Sequence, residues 1–292
     1  MIFNNPPITS LKHPVFDQAH VSVSIKRDDQ IHPVVSGNKL YKLSGHLQQF
    51  NRSKSETLIT FGGAYSNHVH ATAYACKELD ISGVAIIRGE QILPLNPTLK
   101  DCVENGMVLE PVSRKEYALG MESEVVRAIV AQYPCAYVVP EGGGGELGVQ
   151  GAQEIMGGVD QSQFDVVMAA CGTGTTLAGI INGVEPQLQV IGVPVLKGAD
   201  TWMPQEIEQY LVSGNKNWKL LCDYHFGGYA KHNEELLDFI KWAEVECNLP
   251  LDQVYTGKAF YGLVDQVKRS CWKPGTRILF IHTGGLQGRR SL

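Results

Sequence analysis

The chain has 292 residues, 43% of them hydrophobic and 19% charged, with a formal charge of −5. Such a composition describes a folded globular protein and excludes a disordered one. The mild acidity excludes the broad basic field that nucleic acid requires, and no apolar run is long enough to cross a membrane.

The first residues, Met1-Ile2-Phe3-Asn4-Asn5-Pro6-Pro7, lack the basic and apolar regions of a secretion signal. Residues 1–20, rich in Pro and His, read as an irregular arm. Val21 to Lys26 alternates like a strand. After a turn at Arg27-Asp28-Asp29 and Pro33 comes Val35-Ser36-Gly37-Asn38-Lys39-Leu40-Tyr41-Lys42-Leu43, which puts a lysine behind a Ser-Gly-Asn turn at the mouth of a helix. A nucleophilic lysine must be neutral, and burial is the usual means of lowering its pKa. Most lysines are solvated, and spacing alone does not choose between Lys39 and Lys42.

Strands follow at Thr57–Phe61, Val84–Ile87, Met107–Leu109, Ala136–Val139, Phe164–Ala170, Gln189–Pro194 and Arg277–Ile281. Helices are expected at Tyr41–Phe50, Asn67–Leu79, Pro97–Asn105, Glu116–Gln132, Gly148–Met156, from Thr175, and at Trp202–Leu211, Lys231–Glu246 and Gly257–Arg269. Strands alternating with helices predict an α/β fold with parallel sheet. The seven cysteines (Cys76, Cys102, Cys135, Cys171, Cys222, Cys247 and Cys271) form no C-x-x-C pair. They argue against zinc and for a reducing cytoplasm.

Three glycine-bearing loops follow strands: Gly62-Gly63-Ala64-Tyr65-Ser66-Asn67, Gly142 to Gly145, and Gly172-Thr173-Gly174-Thr175-Thr176. Ligands of parallel α/β sheets bind at the carboxyl ends of strands, where such loops lie. The Gly172 loop combines small residues, threonine hydroxyls and a helix start, which suits a phosphate. It is not a P-loop, and the strand ending Gly192-Val193-Pro194 carries no acid for a ribose, which disfavours a dinucleotide. Ser66-Asn67-His68 suits a carboxylate, or is a plain helix cap. No G-x-S-x-G surrounds Ser66, and His68 and His70 make no metal motif, so no metal is expected. Tyr229, Tyr255-Thr256-Gly257-Lys258 and His282-Thr283-Gly284-Gly285 remain open between pocket lining and structure. A lysine, a phosphate cradle and a carboxylate loop together suggest pyridoxal 5'-phosphate.

These motifs, in this order, resemble the 1-aminocyclopropane-1-carboxylate (ACC) deaminase and D-cysteine desulfhydrase family: Ser36-Gly37-Asn38-Lys39 with Lys42-Leu43, Gly62-Gly63 with Ser66-Asn67-His68, Cys171 to Thr176, Tyr255-Thr256-Gly257-Lys258, and His282-Thr283-Gly284-Gly285. The resemblance implies a fold-type II pyridoxal-phosphate enzyme, related to the tryptophan synthase β subunit, with two open, twisted, mostly parallel sheets flanked by helices. It implies a larger domain from 1–44 and 152–292, a smaller one from 45–151, and the cofactor in the cleft between them. Lys39 would be the Schiff-base lysine and Lys42 a structural neighbour. Ser66, Asn67 and His68 would hold the substrate carboxylate, with Asn67 also near the cofactor and Ser66 also a catalytic residue. Thr173, Gly174, Thr175 and Thr176 would hold its phosphate. Tyr229 and Tyr255 would be the active-site tyrosines, Thr256 would face the pyridine nitrogen, and Thr283 would border the substrate. A homodimer and a small amino-acid substrate are implied likewise.

ACC deaminases typically carry Glu at the Thr256 position and Leu at Thr283, whereas D-cysteine desulfhydrases carry hydroxyl residues at both. The resemblance therefore implies D-cysteine desulfhydrase first, ACC deaminase second; a non-catalytic phosphate-ligand binding protein is the reading from another class. The chain departs from the pattern in being shorter than typical members, in the glycine run Gly142 to Gly145, in His68 where ACC deaminases have Gln, and in Leu286-Gln287-Gly288-Arg289-Arg290 where relatives run Ala-Pro-Ala.

Overall fold

Aliphatic runs bounded by glycine or proline become strands, and the amphipathic stretches between them become helices. The computed structural model describes residues 6–212 and 217–291. Its strands are β1 (Ile8–Leu11), β2 (Ser22–Lys26), β3 (Thr57–Gly63), β4 (Ser82–Arg88), β5 (Val108–Val112), β6 (Ala136–Val139), β7 (Val166–Cys171), β8 (Gln189–Pro194), β9 (Trp218–Leu220) and β10 (Arg277–Ile281). The helices are α1 (Pro14–Gln18), α2 (Asn38–Ser53), α3 (Asn67–Glu78), α4 (Pro97–Glu104), α5 (Arg114–Leu119), α6 (Glu124–Val130), α7 (Gly145–Gln153), α8 (Thr175–Gly183), α9 (Met203–Glu208), α10 (Glu234–Cys247) and α11 (Thr256–Lys268).

The strands form two sheets. One runs β1-β2-β10-β7-β8-β9 and the other β5-β4-β3-β6. Every pairing is parallel except β1 with β2. This is the expected α/β architecture, and its central strands are buried on both faces, as crossover helices require. Val23, Ile25, Met168, Ile278 and Phe280 pack on one face of the larger sheet, against α10 and α11. Val167, Ala169, Leu279 and Ile281 pack on the other, against α7 and α8. The smaller sheet is sandwiched likewise, with Leu58 facing α2 and α3, and Ile59, Val84 and Ile86 facing α5 and α6.

Several local expectations are corrected. The first arm is ordered from Ile8: β1 pairs antiparallel along β2, and α1 buries Phe16. The helix expected over Glu116–Gln132 is broken. Gly120 adopts φ 51°, and the Ser123 hydroxyl starts a new helix by accepting from Val126 N–H at 3.2 Å. Alternation over three residues is too short to announce β9.

The functional consequence of this topology is convergence. The carboxyl ends of β3, β4, β6, β7 and β10 all open into one cleft, lined from both sheets.

Candidate active site

The cleft encloses about 340 Å³. Its floor begins at α2. Gly37, at φ 66°, lets the chain pass directly under Thr283; a Cβ there would sit 2.0 Å from the Thr283 carbonyl oxygen. That contact fixes the entry of α2, and Lys39 in its first turn projects into the cleft. Lys39 Nζ donates to Asn38 Oδ1 at 3.0 Å, and Asn38 Nδ2 donates to Thr176 Oγ1 at 2.8 Å. Burial pushes the Lys39 amine down from 10.5 to about 8, partly offset by the charge of Asp252.

Lys42 lies one turn on and also lines the cleft. Only 3% of it is exposed, and its ammonium makes no hydrogen bond among the described residues. Its pKa is driven well down, first by burial and then by Lys39. A buried, unpaired cation is costly, which makes it a built partner for an anion.

The Gly172 loop faces both lysines. β7 ends at Cys171, Gly174 takes φ 91°, and α8 begins at Thr175, leaving first-turn N–H groups toward the cleft. Thr173 Oγ1 and Thr175 Oγ1 are 3.3 Å apart. Together with Thr176 and Lys42, these groups suit a phosphate dianion. Cys171 plays no such part. Its thiol is fully buried against Met203 Sδ at 3.3 Å and raised to about 12 by burial.

Across the cleft, Ser66 caps α3, its hydroxyl accepting from Val69 N–H at 3.2 Å. Asn67 and His68 supply the first turn. The His68 ring is turned inward. His68 Nε2 lies 2.8 Å from Thr60 Oγ1, which is also 3.3 Å from the Val139 carbonyl. Nδ1 has no partner among the described residues, and burial holds the ring neutral. The backbone N–H of His68, in the first turn of α3, is a further donor for an anion.

Tyr229 and Tyr255 stand edge to face, ring centroids 6.1 Å apart. Burial and the neighbouring Tyr229 hold the Tyr255 phenol well above 10, so it stays protonated at neutral pH. Lys258, fully buried in α11, donates to the carbonyls of His225 at 2.9 Å and Gly228 at 2.8 Å and so anchors the loop that carries Tyr229. Thr283, Gly284 and Gly285 close the wall. Thr256 is close by, but it is fully buried and is not on the cleft wall. Its hydroxyl donates to Asp252 Oδ1 at 2.6 Å and accepts from Asp252 N–H at 3.0 Å.

Sequence reasoning missed four contributors. Asp252 is a buried carboxylate that also accepts from the amides of Val254, Tyr255 and Thr256. Arg88, at the tip of β4, reaches over Gly63, and a Cβ on Gly63 would lie 3.3 Å from its Nη2. Glu141 lines the mouth, and Lys42 was read only as a neighbour. Position at a strand's carboxyl end was the available signal for Arg88 and Glu141.

The chain is similar to known proteins along nearly its whole length. The model of the "Pyridoxal-phosphate dependent enzyme" family matches residues 4–284. A Pyrococcus abyssi protein, provisionally named a 1-aminocyclopropane-1-carboxylate deaminase, is 34% identical over 92% of this chain and 86% of its own. The Arabidopsis thaliana mitochondrial bifunctional D-cysteine desulfhydrase/1-aminocyclopropane-1-carboxylate deaminase is 33% identical over 90% of this chain and 72% of its own. A crystal structure described as an ACC deaminase homologue superposes with a TM-score of 0.83 at 28% identity, covering 98% of this chain and 91% of that one.

Proposed function

The chain belongs to the pyridoxal-phosphate-dependent enzymes of fold type II, in the ACC deaminase and D-cysteine desulfhydrase family; on that premise we propose that it is a D-cysteine desulfhydrase, releasing pyruvate, sulfide and ammonia. One observation carries the reading of the site: Lys39, the Gly172 loop and the Ser66 loop converge on a single cleft, the first two joined through Asn38.

The residues present fit the cofactor. Lys39 would hold it covalently. Thr173, Gly174, Thr175, Thr176 and Lys42 would hold its phosphate, the last supplying the positive charge that nothing in the described protein satisfies. When bound, pyridoxal phosphate supplies an electron sink for the bond broken at the amino acid's α-carbon.

The protein groups divide the remaining work. Ser66 Oγ, Asn67 Nδ2 and the first-turn amides of α3 would bind the substrate carboxylate. Lys39 Nζ, with its pKa lowered to about 8, is suited to take the α-proton near neutral pH. Tyr255 and Tyr229, whose rings pack edge to face on the cleft wall, would steady the departing hydrosulfide with hydrogen bonds from their phenols, that of Tyr255 held protonated. Thr256 supports desulfhydration over cyclopropane opening. It stands where ACC deaminases carry Glu, and in this fold its hydroxyl proton is committed to Asp252 behind the cleft wall.

The names of the relatives favour ACC deaminase as the second reading. Purified protein loaded with pyridoxal phosphate should be offered D-cysteine, L-cysteine, D-serine, β-chloro-D-alanine and ACC, with sulfide and ketoacids measured. Sulfide and pyruvate from D-cysteine are expected. Production of 2-oxobutanoate from ACC without sulfide from D-cysteine would reverse the assignment.

A further inference from the structure

The segment Leu286-Gln287-Gly288-Arg289-Arg290 follows the last glycine pair and is one of the departures from the family pattern. It forms a short 3₁₀ turn that bridges the two sides of the cleft. Toward the larger sheet, the Gly288 carbonyl accepts from Gln253 Nε2 at 3.4 Å, and Arg289 Nη1 donates to Glu244 Oε1 at 3.1 Å. Toward the smaller sheet, Arg290 Nη2 reaches Asp101 Oδ2 at 2.5 Å, and the same oxygen binds His70 Nε2 at 2.9 Å. Between these ties, Gln287 touches the site itself. Its Nε2 donates to Asn67 Oδ1, and its Oε1 accepts from Thr98 Oγ1 at 3.1 Å.

We propose that Gln287 is a positioning residue that sets the polarity of Asn67 in the substrate site. An amide side chain has one acceptor end and one donor end. With Oδ1 turned to Gln287, the opposite end of the amide, Nδ2, is the one turned toward the cleft wall. Nδ2 lies beside Gly285 on the cleft wall, where a Cβ would sit 3.1 Å from it, and it has no acceptor among the described residues. Ser66, the first-turn amides and Nδ2 then form a set of donors, complementary to a carboxylate. The inference rests on the reading of this cleft as an amino-acid site, and it adds the residue that fixes the site's polarity.

Three variants of the cofactor-loaded enzyme test it. Gln287→Ala frees Asn67 to rotate and is expected to raise KM for D-cysteine about tenfold, with kcat within about twofold, the cost of one hydrogen bond. Gln287→Glu goes further. Its carboxylate still accepts from Thr98 but now requires the Nδ2 end of Asn67, which turns Oδ1 toward the substrate, and KM should rise about a hundredfold. Arg290→Ala cuts a tie to Asp101 and spares the Asn67 contact, so it should lower Tm while leaving KM near that of the parent. Equal KM for the Glu variant and the parent overturns the proposal, as does a KM rise in Arg290→Ala matching that of Gln287→Ala. A second readout needs no substrate: the Asn67 side-chain ¹H–¹⁵N signals should move in Gln287→Ala and stay in Arg290→Ala. Unmoved signals in Gln287→Ala sink the inference on their own. If the parent enzyme reacts with no amino acid in the panel, that result counts against the proposed function, and the Asn67 signals still decide the role of Gln287.

Discussion

Lys39 Nζ sits 3.0 Å from Asn38 Oδ1, and the other end of that same amide donates to Thr176 at 2.8 Å. One side chain thus links the amine to the Gly172 loop and fixes their separation. Lys39→Ala should fold as the parent does, bind pyridoxal phosphate without a covalent link, and lack the absorbance of the linked cofactor. Borohydride reduction followed by mass spectrometry checks this: the tryptic peptide with Lys39 should carry the label in the parent, and label on Lys42 instead would overturn the assignment.

The lowered pKa of Lys39 makes a kinetic prediction. A lysine attacks an aldehyde only when neutral, and the folded value has moved from 10.5 to about 8. Below about 8 the neutral fraction of the empty protein's amine grows about tenfold per pH unit. Cofactor uptake, followed by stopped-flow absorbance, should therefore accelerate from pH 6 to 8 and level off above. Asp252 opposes the burial effect, so Asp252→Asn should move the bend to lower pH. A bend near 10.5 would mean that the amine is solvated.

Lys42 differs because nothing among the described residues pairs with it. Its pKa is depressed in the fold, so above that depressed value and below 10.5 the unfolded chain binds more protons than the folded one. The stability of the cofactor-free protein should consequently rise with pH across that window. Lys42→Met removes both the titration and the desolvation cost, and should raise the Tm of the cofactor-free protein at pH 7. The same change removes a charge-assisted contact of about 1.5–3 kcal/mol, so pyridoxal phosphate should bind about tenfold to a hundredfold more weakly. Calorimetry with and without cofactor reads both; unchanged cofactor affinity would remove Lys42 from the phosphate site.

The local half of this site was legible in the chain. Gly172 to Thr176 and Ser66-Asn67 announce themselves because a strand end, a glycine and a cap residue lie within a few positions of one another. The lysine was legible only as a pair, since α2 carries Lys39 and Lys42 one turn apart and both reach the cleft. Asp252, Arg88 and Gln287 were hidden for a different reason. Each acts across the fold: Arg88 over Gly63 from the next strand, Asp252 on Lys39 from another element, Gln287 on Asn67 from 220 positions away. No periodicity records such distances. The break at Gly120 shows the converse: apolar spacing that reads as one helix yields to a glycine with positive φ and a serine cap three residues later.

Thr256 and Asp252 bear on the proposed substrate choice. Asp252 receives the Thr256 hydroxyl at 2.6 Å and three backbone amides at 2.8 Å each, all in the buried start of α11. Thr256→Val leaves the Asp252 carboxylate and its own N–H each one partner short. The expected loss is about 1–3 kcal/mol, seen as a lower Tm. Thr256→Glu, the substitution that would bring the ACC deaminase residue, sets a second carboxylate against Asp252. Two buried carboxylates cannot both ionise at that range, so the pair must hold a proton and one folded pKa is raised. An acid whose folded pKa is raised loses stability as pH climbs from its unfolded value, about 4, through the folded one. The Tm deficit of Thr256→Glu relative to the parent should therefore be larger at pH 8 than at pH 5. For the same reason the single substitution should not create ACC deaminase activity, whereas Thr256→Glu combined with Asp252→Asn should restore stability at pH 8. A Tm deficit that is independent of pH, or 2-oxobutanoate formation from ACC by the single variant, would show that the new carboxylate escapes Asp252 and reaches the cleft.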